Sequence, residues 1–190
     1  MTSQAPLTPA IPTIETPRLL LRGHTVADLA DSAAMWADPE VTRNIGGRPS
    51  TREETWAKVL RVVGHWSLLG FGYWVVRERA TDRFVGEVGY ANFERDIDPP
   101  LAGAPEGGWV LAPWAQGKGY ATEAVKAATA WLEERFGPVR TVCIIDRGHA
   151  PSLRVAEKCG YRPWVETTYH GDEVIVLERP AGACESKLSR

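Results

Sequence analysis

The sequence predicts a mixed α/β (α+β) fold: a central, mostly antiparallel sheet of about seven strands flanked by about four helices. Three observations predict it. Short β-branched and aromatic runs occur in pairs, longer stretches carry apolar residues every three or four positions, and one strand runs through a glycine turn into a helix at "WVLAPWAQGKGYATEAV", residues 109–125. The element order reads β-α-α-β-β-β-α-β-α-β-β. Only the β-α-β unit around residues 109–125 calls for a parallel strand pair with a right-handed crossover.

Each element has its own signal. "RLLLRG", from Arg18, is a short apolar run between charged ends and reads as the first strand. "TVADLADSAAMWAD" places Leu29, Ala33 and Trp36 on one helical face, with Thr25 as N-cap three residues before Asp28. "NIGGRPS" is a loop, after which Ser50 and Thr51 stand three residues before Glu53 and Glu54 in a capping-box pattern. The helix they start carries Trp56, Val59, Leu60 and Val63 at helical spacing and should end near Gly70. "GYWVVRER" and "RFVGEVGYANF", separated by "ATDR", form a hairpin. A Pro- and Gly-rich loop leads to the strand "GWVLA". The next helix is expected from Gly117 to about Phe136, with Ala121, Val125, Ala128, Leu132 and Phe136 at intervals of three or four and Gly137 and Pro138 closing it. "VRTVCIID" is a strand, "APSLRVAEKCGY" a short helix with Pro151 in its first turn, and "WVETTYHGDEVIVLER" a hairpin turning at Gly171 and Asp172.

Length and composition bound the function. With 190 residues the chain builds one sizeable core, so residues 14–180 are expected to form a single domain between tails at 1–13 and 181–190. At 44% hydrophobic, 24% charged and a formal net charge of −2, it has the composition of an ordinary globular protein. There is no basic excess to mark a nucleic-acid surface and no apolar run long enough to span a bilayer. The N-terminal stretch has four prolines and no charged n-region ahead of an apolar segment, so it reads as a tail and not as a signal peptide. Cys143, Cys159 and Cys184 are odd in number and far apart, which favours neither a disulfide scaffold nor a thiolate metal site. A reducing, cytoplasmic setting is the expectation, with no metal. Several of the eight tryptophans should be core or pocket walls.

The glycine turn carries the chemistry. A helix N-terminus offers backbone N–H groups without partners and the positive end of the helix dipole, and glycines let a ligand approach them, so an anion site is expected. Lys118 adds charge. A P-loop fails here, since Ala112 stands where its first glycine belongs and Gly119 where its Ser or Thr belongs. The dinucleotide fingerprint would need a small residue at Thr122 and a suitably placed acidic residue. "QGKGYATEA", Gln116 to Ala124, resembles the acetyl-CoA pyrophosphate loop of the GNAT superfamily of N-acetyltransferases. "ETPRLLLR" at 15–22, "EGGWVLAP" at 106–113 and "SLRVAEKCGY" at 152–161 are similar, in order, to motifs of its ribosomal-protein-alanine (RimJ/RimL-type) branch. The resemblance covers about residues 14–180.

The resemblance implies a sheet splayed in its middle, with the pantetheine arm of acetyl-CoA between the strands of Trp109–Leu111 and Val142–Ile145. The arm would bond to main-chain groups of Val110 and Leu111. It also implies that the loop from Gln116 through Gly117, Lys118, Gly119, Tyr120, Ala121 and Thr122 holds the pyrophosphate. The acetyl group would pass directly to a primary amine, either a protein or peptide N-terminus or a small-molecule amine; a catalytically silent CoA-binding module is the reading from another class. Glu106 matches the branch's strand-start carboxylate and is the candidate general base; the alternative is a solvated loop glutamate after Pro105. Ser152 matches a serine near the cofactor sulfur and is the candidate thiolate donor; the alternative is helix capping. The usual tyrosine donor position is Ala156. His149 stands where the family has Asn against the cofactor arm. Gly107 replaces a larger apolar residue, Tyr161 is expected to pack the sheet, and Arg18 and Arg22 read as structural. By resemblance the acceptor binds near "RNIGGRPS", residues 66–73 and "ETTYHGDE", where Glu166, Asp172 and Glu173 would either attract a cation or solvate the hairpin. A homodimer is the branch's habit.

Overall fold

The structure, a computed structural model, describes residues 11–182. Cys184 and most of both tails lie outside the described residues. One sheet of eight strands organises the chain: β1 (Ile14–Glu15), β2 (Leu19–Arg22), β3 (Tyr73–Glu78), β4 (Phe84–Ala91), β5 (Glu106–Leu111), β6 (Thr141–Asp146), β7 (Arg162–Tyr169) and β8 (Asp172–Arg179). Their spatial order is β1-β2-β3-β4-β5-β6-β8-β7, and every neighbouring pair is antiparallel except β5 and β6. The added strand is β1, two residues long and too short to show alternation. The β7–β8 hairpin turns at His170 and Gly171, one residue earlier than the sequence suggests, since Tyr169 already pairs with Asp172.

Five helices accompany the sheet: α1 (Leu29–Trp36), α2 (Pro39–Thr42), α3 (Arg52–Leu69), α4 (Tyr120–Phe136) and α5 (Ala150–Lys158). Thr25 and Thr51 both make capping boxes, with Asp28 and Glu54. The first box opens a short 3-10 turn at Val26–Asp28 ahead of α1, and the buried face of α1 is Ser32 and Met35, not the predicted Leu29, Ala33 and Trp36. A one-turn helix, α2, for which the sequence gives no periodic signal, precedes the "NIGGRPS" loop; Asp38 caps it and Pro39 starts it. On α3, Thr55, Val59 and Trp66 are buried while Leu60 is 52% exposed, so the apolar stripe is rotated from the predicted one.

Alternation along the strands separates the two faces. Val88 and Tyr90 of β4 join the core beneath α4, where Val125, Ala128 and Leu132 are buried, and Tyr90 hydrogen-bonds Thr129 at 2.7 Å. Glu87 points to the other face and accepts from Ser32 Oγ at 2.6 Å and Trp36 Nε1 at 3.1 Å on α1. Helix α5 lies on the α4 side, with Ala156 and Cys159 in the same core. Trp66, Trp74 and Trp131 meet edge to face at 4.7 to 5.3 Å, tying the end of α3 to the sheet and α4.

Candidate active site

Strands β5 and β6 touch at one end and then part. Their parallel pairing is confined to Glu106 with Val142, supported by Val142 N–H donating to the Pro105 carbonyl at 3.1 Å. Beyond it, β6 is fully paired with β8 and β5 with β4, and the two inner edges diverge. Main-chain direction alternates in an antiparallel ladder, so the bond from Ala112 N–H to the Val85 carbonyl, 2.9 Å, fixes the parity of β5. Val110 therefore turns its amide and carbonyl toward β4. This corrects the expectation for Val110: the groups that face the gap belong to Trp109 and Leu111. Gln116 Nε2 donates to the Leu111 carbonyl at 3.1 Å, tying the end of β5 to the turn that follows it.

After β5 a 3-10 turn at Pro113–Ala115 leads to the glycine pair. Helix α4 begins at Tyr120 and not at Gly117, because Gly119 is its N-cap. Gly117 and Gly119 have φ of +74° and +80°, where a side chain is strained, and nothing lies within 4 Å of the place where a β-carbon would stand on Gly117. The amide N–H groups from Gly117 to Thr122 have no hydrogen-bond acceptor in the described protein; Glu123 N–H, bonded to the Gly119 carbonyl at 3.1 Å, is the first satisfied donor of the helix. Positive charge gathers beside them. Trp114 has Arg83 at 3.9 Å and Lys118 at 4.7 Å from its ring, and neither cation has an ion pair among the described residues. Arg18 donates to the Lys118 carbonyl at 2.9 Å and pairs with Glu123 at 2.6 Å, bracing the turn from β2. Six open amides, two glycines without crowding and these cations fit a phosphate-bearing ligand.

Across the gap, β6 ends at Asp146 and His149 caps α5. His149 is half-buried, and burial lowers its pKa against the opposing pull of Asp146, which favours the neutral imidazole. Ser152 is half-buried in the first turn of α5; its N–H bonds the His149 carbonyl at 3.0 Å and its hydroxyl has no partner among the described residues.

Glu106 is 7% exposed and is the first residue of β5, so the solvated-loop alternative does not describe it. Both carboxylate oxygens are held by Arg95, whose Nε and Nη2 donate at 2.6 and 2.7 Å, and Arg95 Nη1 donates to Tyr169 at 3.1 Å. The Arg95 guanidinium keeps its charge tightly in spite of burial, because Glu106 is bound to it. On the other face, the space above Gly107 is filled by two tyrosines: a β-carbon there would lie 2.8 Å from the Tyr161 oxygen and 3.1 Å from a Tyr90 ring carbon. Tyr161 bonds Thr141 at 3.0 Å and Tyr90 at 3.3 Å, the packing role expected of it, and burial raises its pKa.

Beside Glu106 two adjoining cavities of about 230 and 350 Å³ open, sharing Asn92, Phe93, Glu94 and Arg95, with Arg61, His65 and Tyr169 on the far wall. Phe93 lies between the guanidiniums of Arg61 and Arg95, 4.9 and 4.7 Å from its ring. Arg95 and Phe93 were not singled out in the sequence: Phe93 closes the run read as a strand, which in the structure ends at Ala91, and Arg95 sits in the Pro- and Gly-rich connection with no periodicity to mark it. Of the acidic hairpin residues, Glu166 and Glu173 face Arg147 at 3.3 and 3.7 Å and are partly neutralised.

The sequence model of the acetyltransferase (GNAT) domain family matches residues 18–162. The chain belongs to the GNAT acetyltransferase family. The GNAT chain is 31% identical over 93 residues to YkkB of Bacillus subtilis (strain 168), a match covering 48% of this chain and 51% of that protein, so it spans about half the length of that relative. A Bordetella pertussis chain assigned to the same family superimposes with a TM-score of 0.79 at 28% identity, over 88% of this chain and 99% of the other. An acetyltransferase from Agrobacterium tumefaciens strain C58 gives 0.75 at 26%, over 93% and 98%. The fold is shared at 15% identity by spermidine N-acetyltransferase from Vibrio cholerae, solved with CoA and spermine, with a TM-score of 0.70 over 88% and 98%.

Proposed function

We propose that this GNAT protein transfers the acetyl group of acetyl-CoA directly to a primary amine. The observation that carries the reading is the continuous track formed by the β5–β6 gap and the six open amides that follow it. In the proposal the gap-facing groups of Trp109 and Leu111 align the pantetheine arm like an added strand. Gly117 to Thr122, with Lys118 and Arg83, hold the pyrophosphate. When bound, acetyl-CoA supplies an activated acyl carbon; the protein supplies proximity, orientation and proton management.

His149 and Ser152 are proposed to line the β6 side of the reacting centre, His149 in place of the usual amide. Glu106 is proposed to act with Arg95 as a fixed ion pair that shapes the acceptor mouth and orders water for the departing proton. With both oxygens held by Arg95, it is less suited to direct proton abstraction. The acceptor enters through the cavities beside Phe93. A peptide α-amine, with a pKa of about 8, presents more free base near neutrality than a lysine at about 10.4. That chemistry supports an N-terminal acceptor over an internal lysine, in line with the resemblance to the ribosomal-protein branch.

A thiol-release assay over peptides, polyamines and aminoglycosides, run beside calorimetry with acetyl-CoA, tests the reading. Binding with turnover of at least one amine is expected. Binding without turnover on any acceptor would make the protein a CoA-binding module, and no binding would remove the cofactor assignment.

A further inference from the structure

We infer that Tyr73 is the proton donor to the leaving sulfur, a role that rests on the acetyl-transfer reading and that no sequence motif assigns to it. Tyr73 begins β3, two strands from the gap. It pairs with Gly89 on β4, which in turn pairs with Gly108 on β5, so a row of two glycines lies beside it across the sheet. A β-carbon on Gly108 would stand 1.9 Å from the Tyr73 oxygen and 3.0 Å from its Cζ. One on Gly89 would stand 2.4 Å from the Tyr73 Cα. The phenol therefore occupies the side-chain space of Gly108, and its hydroxyl rests on β5.

That position is next to the closed end of the gap, where the β5–β6 pairing at Glu106 and Val142 has just ended. Gly108 lies between Gly107, at the closed end, and Trp109, the first residue whose main chain faces the open gap. Glu106 projects on the same face as the phenol, two residues before Gly108. The Tyr73 hydroxyl has no hydrogen-bond partner among the described residues, and it is not one of the fully sealed polar atoms. The buried Tyr90 and Tyr161 hydroxyls, in contrast, bond each other and two threonines. Burial raises the Tyr73 pKa, the charge of Glu106 raises it further, with Glu87 adding to this, and Arg95 and Arg61 oppose them. The phenol stays protonated, which excludes it as the base.

The neutral amine nitrogen forms the bond to the acyl carbon, and the carbon–sulfur bond breaks with its electron pair on sulfur. Tyr73 gives its O–H proton to that sulfur, producing the free thiol. The amine nitrogen releases one proton to water, and water returns one to the phenolate. Tyr73 thus takes the place left by Ala156, from the opposite side of the gap.

Tyr73→Phe, assayed with acetyl-CoA and an amine that the wild type acetylates, tests this. The variant should lose about 100-fold in kcat across the pH range, the scale of general-acid catalysis, with its acetyl-CoA affinity and amine KM within twofold. Replacing Tyr73 by 3,5-difluorotyrosine, a more acidic phenol of nearly the same size, should produce an alkaline fall in kcat at lower pH than any the wild type shows, because the wild-type phenol stays protonated. An unchanged kcat in Tyr73→Phe, a loss carried by KM alone, or a wild-type alkaline profile with the fluorinated residue would overturn the role. If the wild type acetylates amines while these variants behave normally, only the role of Tyr73 falls; if the wild type binds acetyl-CoA and acetylates nothing, the function itself falls.

Discussion

At the residue scale, the site depends on positions where a side chain is forbidden and on one where a charge cannot stand alone. Gly119 has a φ of +80° at the entrance to α4, and a branched residue there costs on the order of 1–2 kcal/mol in backbone strain while tilting amides away from the ligand. Gly119→Val should weaken acetyl-CoA binding about tenfold by calorimetry while the protein remains folded. Arg95 is different, because its partner is buried. Arg95→Ala would leave Glu106, 7% exposed, without its counter-charge, and loss of one partner of such a pair destabilises by on the order of 3 kcal/mol. Denaturant titration should show that loss, and the Glu106→Gln/Arg95→Ala double variant should recover part of it.

At the element scale, Trp74 is fully buried at the junction of α3, β3 and α4, in edge-to-face contact with Trp66 and Trp131. Trp74→Ala should cost about 3–5 kcal/mol, measured as a fall in the denaturant midpoint. The elements themselves were largely legible: capping boxes at Thr25 and Thr51, the stop at Gly70 and the hairpin around "ATDR" all follow from local chemistry. What could not be read was tertiary. The parity that turns Trp109 and Leu111 toward the gap is set by the β4 register, so a motif alone pointed to Val110. The pairing of Glu106 with Arg95 joins a strand start to an irregular loop, and the row from Tyr73 through Gly89 to Gly108 spans three strands. Such contacts leave no periodic trace.

At the scale of the whole molecule, two carboxylates tie the helices of one face to the sheet. Burial pushes the Asp28 carboxyl up, but Arg22, Thr25 and Arg77 outweigh it and hold it well below the usual range. Burial likewise opposes the ionised form of Glu87, and His24, Ser32 and Trp36 overcome it. A carboxylate with a depressed folded pKa stabilises fully above its unfolded value, near 4, and loses that contribution as pH falls toward its folded value. Thermal melts should therefore show stability declining below about pH 4, and Asp28→Asn should flatten part of that decline.

Amide hydrogen exchange with and without acetyl-CoA tests the proposed track across the molecule. The amides from Gly117 to Thr122 and those of Trp109 and Leu111 are predicted to exchange more slowly when acetyl-CoA is bound, while β1 and the β7–β8 turn remain unchanged. Binding with no protection in residues 109–122, or protection confined to another face, would contradict the account.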